Sequence, residues 1–416
     1  MIENYQLRRL ELPFRTLVAW WNDDAIRIPV IVFVLLRIVT GIAALIMVVG
    51  SNFARPPLLY YDPVRHVGNA SGEIYYQALP QNSPLYSVVA PWRLYDTVWY
   101  IKIAIQGYRH DNSIVFPPLY PVLIRMLAPF VGDNYVLSSL LISNIACLIA
   151  FILLFKLIRR EFNEDALATR TLVLLAAFPT AFFLMAGYTE TLFLALTLGA
   201  FLAAFDKKWW LAGILAFFAS LTRLQGAVLC LPLAWIAYVQ LRETGWRAIL
   251  ARVPAAIGGA LGSLSFLAYL WIYNLGSLDS SFRDGWKLTT KMPWESIGTY
   301  ISHLTRGISY DFENTNAFLM LVMLLLAIVV TIKFKPAYSI YTWSTIIVIL
   351  ARYHYGIGLQ GAQLESVMRY VLMLFPCFIA GAMILRRWWE MAPYVLVGLP
   401  WQLLLLNNFM HWHWVA

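Results

Sequence analysis

The sequence predicts an all-α protein that crosses a membrane many times, and three observations support this fold class. Of its 416 residues, 61% are hydrophobic and only 13% are charged, whereas a water-soluble protein carries about 25% charged residues. Apolar runs recur along the whole chain, and the longer ones reach the roughly 20 residues that a helix needs to cross a bilayer. The short connections between the runs alternate between basic and uncharged. These features exclude a soluble globular domain.

Eleven apolar segments, several of them short, are candidate transmembrane helices. A polar and charged N-terminal stretch without a cleavable signal pattern precedes the first segment, which is therefore expected to act as an uncleaved anchor. The segments are 29–50, 135–158, 165–186, 188–205, 209–224, 226–240, 251–275, 314–333, 337–352, 367–386 and 392–410.

The distribution of basic residues predicts the orientation. A net charge of +9 suggests nucleic acid in a soluble protein, but short cytoplasmic loops of a membrane protein collect Lys and Arg. The basic connections and the N-terminus are thus expected in the cytoplasm. The long loops 51–134 and 276–313 then lie together on the extracytoplasmic side of one domain, 1–416. The basic residues are Lys156, Arg159, Arg160, Lys207, Lys208, Arg242, Arg247, Arg252, Lys333, Lys335, Arg386 and Arg387.

The first long loop contains a segment, Trp92–Tyr108, with one acid, Asp96. Its apolar residues recur at helical spacing, which predicts an amphipathic helix lying in the membrane–water interface. Asp96 would then be held at the level of the lipid headgroups. The alternatives are a solvated loop acid or an N-cap for the helix. The apolar face comprises Leu94, Val98, Ile101, Ile105 and Tyr108.

Several charged residues lie in or beside the apolar segments, where an ionisable group is energetically costly. Arg37 and Arg170 have no evident partner and are expected to be structural. An arginine at the membrane surface can bind a lipid phosphate through two hydrogen bonds. The alternative is an Arg–Glu pair that fixes helix register. The residues concerned are Arg223, Arg352 and Arg369, with Glu190 or Glu365 as partner.

The remaining polar signals are weaker. No His/Cys/Asp cluster has metal-ligand spacing, and the acidic residues Asp311 and Glu313 form a pair that is common by chance. His354 fits a structural role as well as a substrate contact. The C-terminal His411 and His413 alternate with tryptophan and predict an aromatic anchor in the interface.

Five sequence blocks follow one another over 95–376. They are Tyr95-Asp96 with Trp99-Tyr100, Ile103-Ala104 and Gly107-Tyr108; Phe116-Pro117-Pro118-Leu119-Tyr120-Pro121; Pro179-Thr180-Ala181-Phe182-Phe183 with Tyr188-Thr189-Glu190; Thr222-Arg223-Leu224-Gln225-Gly226; and, more weakly, Ser366 to Pro376 with Arg369-Tyr370. No single block is specific, but the set in this order is, and it resembles the GPI mannosyltransferase 2 family (phosphatidylinositol glycan class V) of the GT-C superfamily. One departure is Tyr95, where the family usually has Trp. The short chain fits a prokaryotic homologue.

The resemblance implies a GT-C fold and an inverting transfer of a sugar, mannose above all, from a polyprenyl-phosphate donor to a hydroxyl of a lipid-linked acceptor. Asp96 would be the catalytic base, and one base is enough because a phosphodiester leaves as an anion. Arg223 and Arg369, then Arg352, would hold the leaving phosphate. Glu190 would orient the sugar or an arginine. Further substrate-binding candidates are Tyr100, Tyr120, Gln225 and His354.

The resemblance also bears on cofactors, partners and location. No metal is expected, an accessory membrane subunit is possible, and the bacterial plasma membrane is the expected site, or the endoplasmic reticulum in a eukaryote. The rival interpretation is a polytopic lipid or solute transporter, which would also place arginines and acids at helix ends. However, the two long loops fall on one face of the membrane, which favours a fixed active site there.

Overall fold

The computed structural model describes residues 21–50, 86–245, 249–308, 310, 312–355, 363–411 and 413–415. Within them the chain is almost entirely helical, so the predicted all-α membrane fold is confirmed. Residues 1–20 of the N-terminal stretch, residues 51–85 of the first long loop, Arg247 and Asp311 lie outside the described residues.

The helices and strands are numbered in chain order. The helices are α1 Asp24–Gly50, α2 Tyr86–Val89, α3 Asp96–Gln106, α4 Leu119–Leu127, α5 Tyr135–Phe162, α6 Asp165–Ala176, α7 Glu190–Phe205, α8 Trp209–Thr222, α9 Cys230–Thr244, α10 Ile249–Ile272, α11 Leu278–Ser280, α12 Pro293–Thr305, α13 Glu313–Lys333, α14 Pro336–Leu350, α15 Val367–Tyr370, α16 Phe375–Ile384 and α17 Trp388–Met410. The strands β1 Leu288–Thr290 and β2 Arg352–His354 pair antiparallel.

The predicted count of eleven spans is not confirmed, although a helix or helix pair occupies each predicted segment. Five helices of the described residues are long and apolar enough to cross a membrane, or six if the pair α15–α16, bent by 81°, forms one span. Several of the others are shorter than a full crossing requires. The chain unwinds at one end of these helices, as at Ala181–Leu184 and Leu224–Leu229, where it forms 3₁₀ turns.

Helices α8 and α10 pack with their backbones in contact. A Cβ atom added at Gly258 would lie 2.2 Å from the carbonyl oxygen of Gly213, and one added at Gly262 would lie 2.3 Å from that of Phe217. No side chain fits at such distances, so small residues are required there. The glycine stripe that begins at Gly258 is therefore a helix-packing face.

The helix ends gather into two charged regions. In one, Arg159 bonds both Asp23 and Asp165 at 2.7 Å, and Lys335 lies 2.8 Å from Glu161. These ion pairs join the start of α1, the connection between α5 and α6, and the start of α14, so the basic connections with Arg159 and Lys335 lie side by side. We call this group, with Arg160 and Asp206, the basic end. The opposite ends of α7 and α8 meet Arg369 and Asp96.

Arg170, one of the arginines expected to be structural, belongs to this framework. Its Nη2 lies 2.8 Å from a carboxylate oxygen of Glu164, and its Nε donates to the carbonyl oxygen of Ala382 at 3.2 Å. The guanidinium of Arg37 lies 5.5 Å from the ring of Trp92.

Candidate active site

A strained turn places Asp96 at the first residue of α3. Tyr95 has φ 50° and ψ −118°, a combination that residues with a Cβ rarely adopt and that costs about 1–3 kcal/mol. The ring of Tyr95 packs 5.3 Å from that of Phe409 and 4.8 Å from that of Trp414, which hold the turn in place. Strain of this kind concentrates at functional sites.

The helix that follows is buried on more sides than its apolar face predicts. Trp99, Tyr100 and Lys102 are buried. Of the predicted face, Leu94, Val98 and Ile101 are buried and Ile105 and Tyr108 are half-buried. Lys102 reaches Asp111 at 2.7 Å and lies 4.9 Å from the ring of Trp99. Helices α4 and α5 pack against α3, so its polar side is enclosed by protein as well.

The carboxylate of Asp96 forms an ion pair with Arg369, 273 residues further along the chain. The Asp96 Oδ2 to Arg369 Nη1 distance is 2.5 Å, and the two side chains are 13% and 5% exposed. Asp96 is therefore neither a solvated loop acid nor an N-cap. Arg369 is also placed by an irregular turn, since Leu364 and Ser366 have φ of 60° and 64°.

Glu190 is buried completely at the start of α7 and bridges two arginines. Its Oε1 lies 2.8 Å from Arg223 Nη1 and 3.2 Å from Arg369 Nε, so the alternative of an Arg–Glu pair is what the structure contains. Its other oxygen, Oε2, has no hydrogen-bond partner among the described residues. A buried carboxylate oxygen without a partner is costly, and this one can accept a hydrogen bond from a ligand.

A tight reversal after α8 aims Arg223 at Glu190. A Cβ at Gly226 would lie 2.4 Å from the backbone nitrogen of Ser220, so the chain can double back here only with glycine. Arg223 Nη1 also donates to Thr189 Oγ1 at 2.8 Å, and its Nε donates to Gln225 Oε1 at 3.4 Å. The Thr-Arg-x-x-Gly block thus folds so that it fixes the position of the Arg223 guanidinium.

Three guanidinium groups converge on the ring of Tyr370. The Cζ atoms of Arg223, Arg352 and Arg369 lie 4.8, 4.7 and 5.1 Å from its centroid. Arg352 and Arg369 both donate to the Tyr370 hydroxyl. The π-face offsets part of the repulsion between the cations. We call Asp96, Glu190, Tyr370 and these three arginines the arginine cluster.

The arginine cluster carries an excess of positive charge. Three arginines against the carboxylates of Asp96 and Glu190 leave 3 − 2 = +1. A site of this kind, enclosed by protein and positively charged, favours an anion. Arginine is well suited to phosphate because its planar donors match two phosphate oxygens.

Glu365 and His354 lie beside the arginine cluster. Glu365 Oε2 is 3.2 Å from His354 Nδ1. Burial raises the pKa of Glu365 to about 7, against the opposing effect of Arg352 and Arg369. Burial, with a smaller contribution from Arg352, lowers the pKa of His354 to about 3. His354 is therefore neutral at neutral pH and adds no charge to the site.

The other sequence candidates differ in their access to the cluster. The Tyr100 hydroxyl lies 3.4 Å from Thr189 Oγ1, at the edge of the cluster. Tyr120 is fully buried, its hydroxyl donates to the Ser139 carbonyl at 2.8 Å, and its ring packs on Tyr100. Tyr120 is thus placed to support Tyr100, and a substrate contact by Tyr120 stays a prediction.

Sequence reasoning left Tyr370, Thr189 and Trp414 out of the site. Tyr370 directly follows Arg369, which was a usable signal, and Thr189 directly precedes Glu190. Trp414, expected within an interfacial anchor, instead lies 5.5 Å from the Arg369 guanidinium. No local pattern connects residues so distant in sequence.

Comparison with known proteins finds a family that is similar to the first part of this chain. Residues 82–246 match the family model described as Mannosyltransferase (PIG-V). The match covers less than half of the chain. The PIG-V match includes Asp96, Glu190 and Arg223, whereas Arg352 and Arg369 lie beyond it. The site therefore combines residues of the PIG-V match with residues from the C-terminal part of the chain.

Curated proteins align with only part of this chain. GPI mannosyltransferase 2 of Schizosaccharomyces pombe is 26% identical over 147 residues, 34% of this chain and 31% of that protein. GPI mannosyltransferase 2 of Drosophila pseudoobscura pseudoobscura is 30% identical over 111 residues, 24% of each chain. The aligned part thus spans about a third or less of these relatives.

Among solved structures, this chain is similar to ArnT from Cupriavidus metallidurans bound to undecaprenyl phosphate. The TM-score is 0.43 at 14% identity, covering 71% of this chain and 56% of that one.

Proposed function

We propose that this protein transfers a mannosyl group from a polyprenyl-phosphate donor to a hydroxyl of a lipid-linked acceptor, with inversion at the anomeric carbon. The direct contact of Asp96 with Arg369 inside the arginine cluster carries the proposal. It puts a proton acceptor and a phosphate-binding cation side by side, as a single-step displacement requires.

In this reaction Asp96 takes the proton of the acceptor hydroxyl while its oxygen attacks the anomeric carbon. The bond from that carbon to the phosphate oxygen breaks, and the electron pair leaves with the polyprenyl phosphate. The negative charge on the phosphate grows in the transition state, so the preorganised guanidinium groups of Arg223, Arg352 and Arg369 stabilise it. No acid is needed to protonate the leaving group.

Glu190 supports this reaction in two ways. Its Oε1 holds Arg223 and Arg369 in fixed positions relative to each other. Its Oε2, which has no partner among the described residues, is available to a sugar hydroxyl. A substrate bond there would satisfy a buried acceptor and favour the correct sugar over analogues that lack the hydroxyl.

We further propose that the reaction takes place at the extracytoplasmic side of the bacterial plasma membrane and requires no metal ion. The basic connections with Arg159 and Lys335 meet at the basic end, which lies at the opposite end of α7 from Glu190. Such connections are retained in the cytoplasm. The arginines supply the positive charge that a metal supplies in other transferases. Transfer that is lost in EDTA and restored by Mg²⁺ or Mn²⁺ would contradict metal independence.

The proposal is tested by transfer from polyprenyl-phosphate-mannose, labelled in the sugar, into a total bacterial lipid extract. The wild-type protein should label lipid, and Asp96→Asn should lower the rate about 10²–10⁴-fold. Asp279→Asn, which changes an exposed acid of the second long loop, is the matched control and should transfer normally. Near-normal transfer by a folded Asp96→Asn protein would remove Asp96 as the base, and absence of labelled lipid with the wild type would overturn the reaction.

A further inference from the structure

A cleft of about 410 Å³ lies beside α12, away from the arginine cluster. Two cationic side chains, hydroxyl groups and one aromatic ring line it. We use the name α12 cleft for the space lined by Lys291, Glu295, Thr299, Ser302, His303, Arg306 and Tyr353.

The ammonium of Lys291 is fixed at the rim of the α12 cleft. Its Nζ lies 3.9 Å from the centroid of the Tyr353 ring and 3.3 Å from Glu295 Oε2. A Lys ammonium has three donors, so one contact with Glu295 leaves donors for an anion. Thr299 Oγ1 donates to the Tyr353 hydroxyl at 3.4 Å, which orders the floor of the cleft.

Arg306 follows the last turn of α12 and lines the far side of the α12 cleft. Among the described residues, two carboxylates lie nearby. Glu295 contacts Lys291, and Glu313, only 2% exposed, contacts His303 and accepts from the backbone nitrogen of Gln363. Of the Lys, Arg, Asp and Glu side chains that line the cleft, Lys291 and Arg306 are positive and Glu295 is negative, which leaves 2 − 1 = +1.

The adjacent face of α12 is apolar and exposed. Trp294, Ile301 and Leu304 are 67%, 51% and 57% exposed, and their spacing places them on one side of the helix. The residues of the cleft occupy another side. An exposed apolar face with a tryptophan, next to basic groups, is the arrangement of a helix lying in the membrane interface.

We propose that the α12 cleft binds the phosphate of an anionic lipid headgroup while Trp294 and its apolar neighbours lie among the acyl chains. Lys291 and Arg306 donate charge-assisted hydrogen bonds to the phosphate oxygens, and the hydroxyl of Ser302 completes the set of donors. This site is separate from the arginine cluster and does not depend on the proposed transfer reaction.

The test measures retention of dihexanoyl phosphatidylglycerol on the purified, detergent-solubilised protein by native mass spectrometry. Replacing both Lys291 and Arg306 by Ala should weaken binding about tenfold or more. Lys291→Arg with Arg306→Lys keeps both charges and should retain most of the affinity. Arg283→Ala, an exposed arginine of the same loop that bonds Asp279, is the control and should bind as the wild type does.

Two outcomes would overturn the proposal. Equal binding by the wild type and the double Ala protein, with equal melting temperatures, would show that the α12 cleft is not the site. Equal competition by glycerol 3-phosphate, which lacks acyl chains, would assign the cleft to a soluble phosphate instead of a lipid. Strong preference for phosphatidylglycerol over both glycerol 3-phosphate and dihexanoyl phosphatidylcholine, lost in the double Ala protein, would establish it.

Discussion

Both charged regions of this protein contain ion pairs between arginine and acidic residues, but the pairs of one region are exposed and those of the other are buried. At the basic end, the side chains of Arg159, Asp23 and Asp165 are 35–41% exposed. In the arginine cluster, those of Asp96, Arg369, Arg223 and Glu190 are 0–13% exposed. Exposed ion pairs contribute about 0–1 kcal/mol, whereas burying charges carries a large desolvation cost. The arginine cluster thus indicates a function, and the basic end needs no explanation beyond topology.

The largest effect is expected from Arg369→Ala. Removal of this guanidinium leaves Asp96 and Glu190 buried without their shared cation, and breaking a buried pair costs about 3–5 kcal/mol. Thermal unfolding in detergent should show a melting temperature well below that of the wild type. Arg369→Lys should recover part of the stability but not the transfer rate, because a single ammonium cannot replace the paired donors. An unchanged melting temperature for Arg369→Ala would contradict the contrast between the two regions.

The second-largest effect is expected in the pH dependence of the free energy of unfolding. The folded-state pKa of Glu365 is about 7, above its ordinary value of 4.5, because the carboxyl is buried. Burial disfavours the ionised carboxylate, so the contribution of Glu365 to the free energy of unfolding is greatest below pH 4.5, where the group is protonated. This contribution is lost as the pH rises through 7. It amounts to at most about 3 kcal/mol. Glu365→Gln should remove this slope, so that unfolding measured from pH 5 to 8 shows a flatter profile than in the wild type. Identical profiles would show that Glu365 does not titrate in this range.

A smaller effect is expected from Tyr370→Phe. The change keeps the ring beneath the three guanidinium groups but removes the hydroxyl to which Arg352 and Arg369 donate. Loss of a hydrogen bond to charged groups costs about 1.5–3 kcal/mol at most, and the remaining π-face limits the damage. The main effect should be a higher KM for the donor, with only a small fall in the melting temperature. Tyr338→Phe, a buried tyrosine outside the cluster, is the matched control for the fold.

The smallest effect is expected at the basic end. Arg159→Ala removes three hydrogen bonds to Asp23 and Asp165, but these groups are hydrated once unpaired. The free energy of unfolding should fall by about 1 kcal/mol or less, and added salt should reduce the difference further. A loss as large as that of Arg369→Ala would remove the distinction between exposed and buried pairs.

The sequence predicted the parts of this molecule that depend on local patterns. The apolar segments and Asp96 as the single acid of its segment follow from composition and spacing. The helix ends did not, because the chain unwinds around Pro179 and Gly226 where hydropathy alone predicts continued helix. These irregular turns place Glu190 and Arg223.

Pairing between distant parts of the chain lay beyond such reasoning. Both a phosphate site and an Arg–Glu pair were open for Arg223, and the structure shows the pair while leaving one oxygen of Glu190 without a partner among the described residues. The contact of Arg369 with Asp96 joins residues 273 positions apart. Tyr370 belongs to the site only because three arginine side chains surround its ring. The positions of these side chains do not follow from the residues next to them in the sequence.

The backbone contact of α8 with α10 has a consequence for how natural variation in this chain should be interpreted. Even one methyl group at Gly258 or Gly262 must push α8 outward, and Arg223 follows directly at the end of that helix. Displacements of about 1 Å at reacting groups lower rates by about 10²-fold. Natural variants with alanine at Gly258 or Gly262 would therefore turn over slowly although every charged residue of the site is present. A screen restricted to charged positions would overlook them.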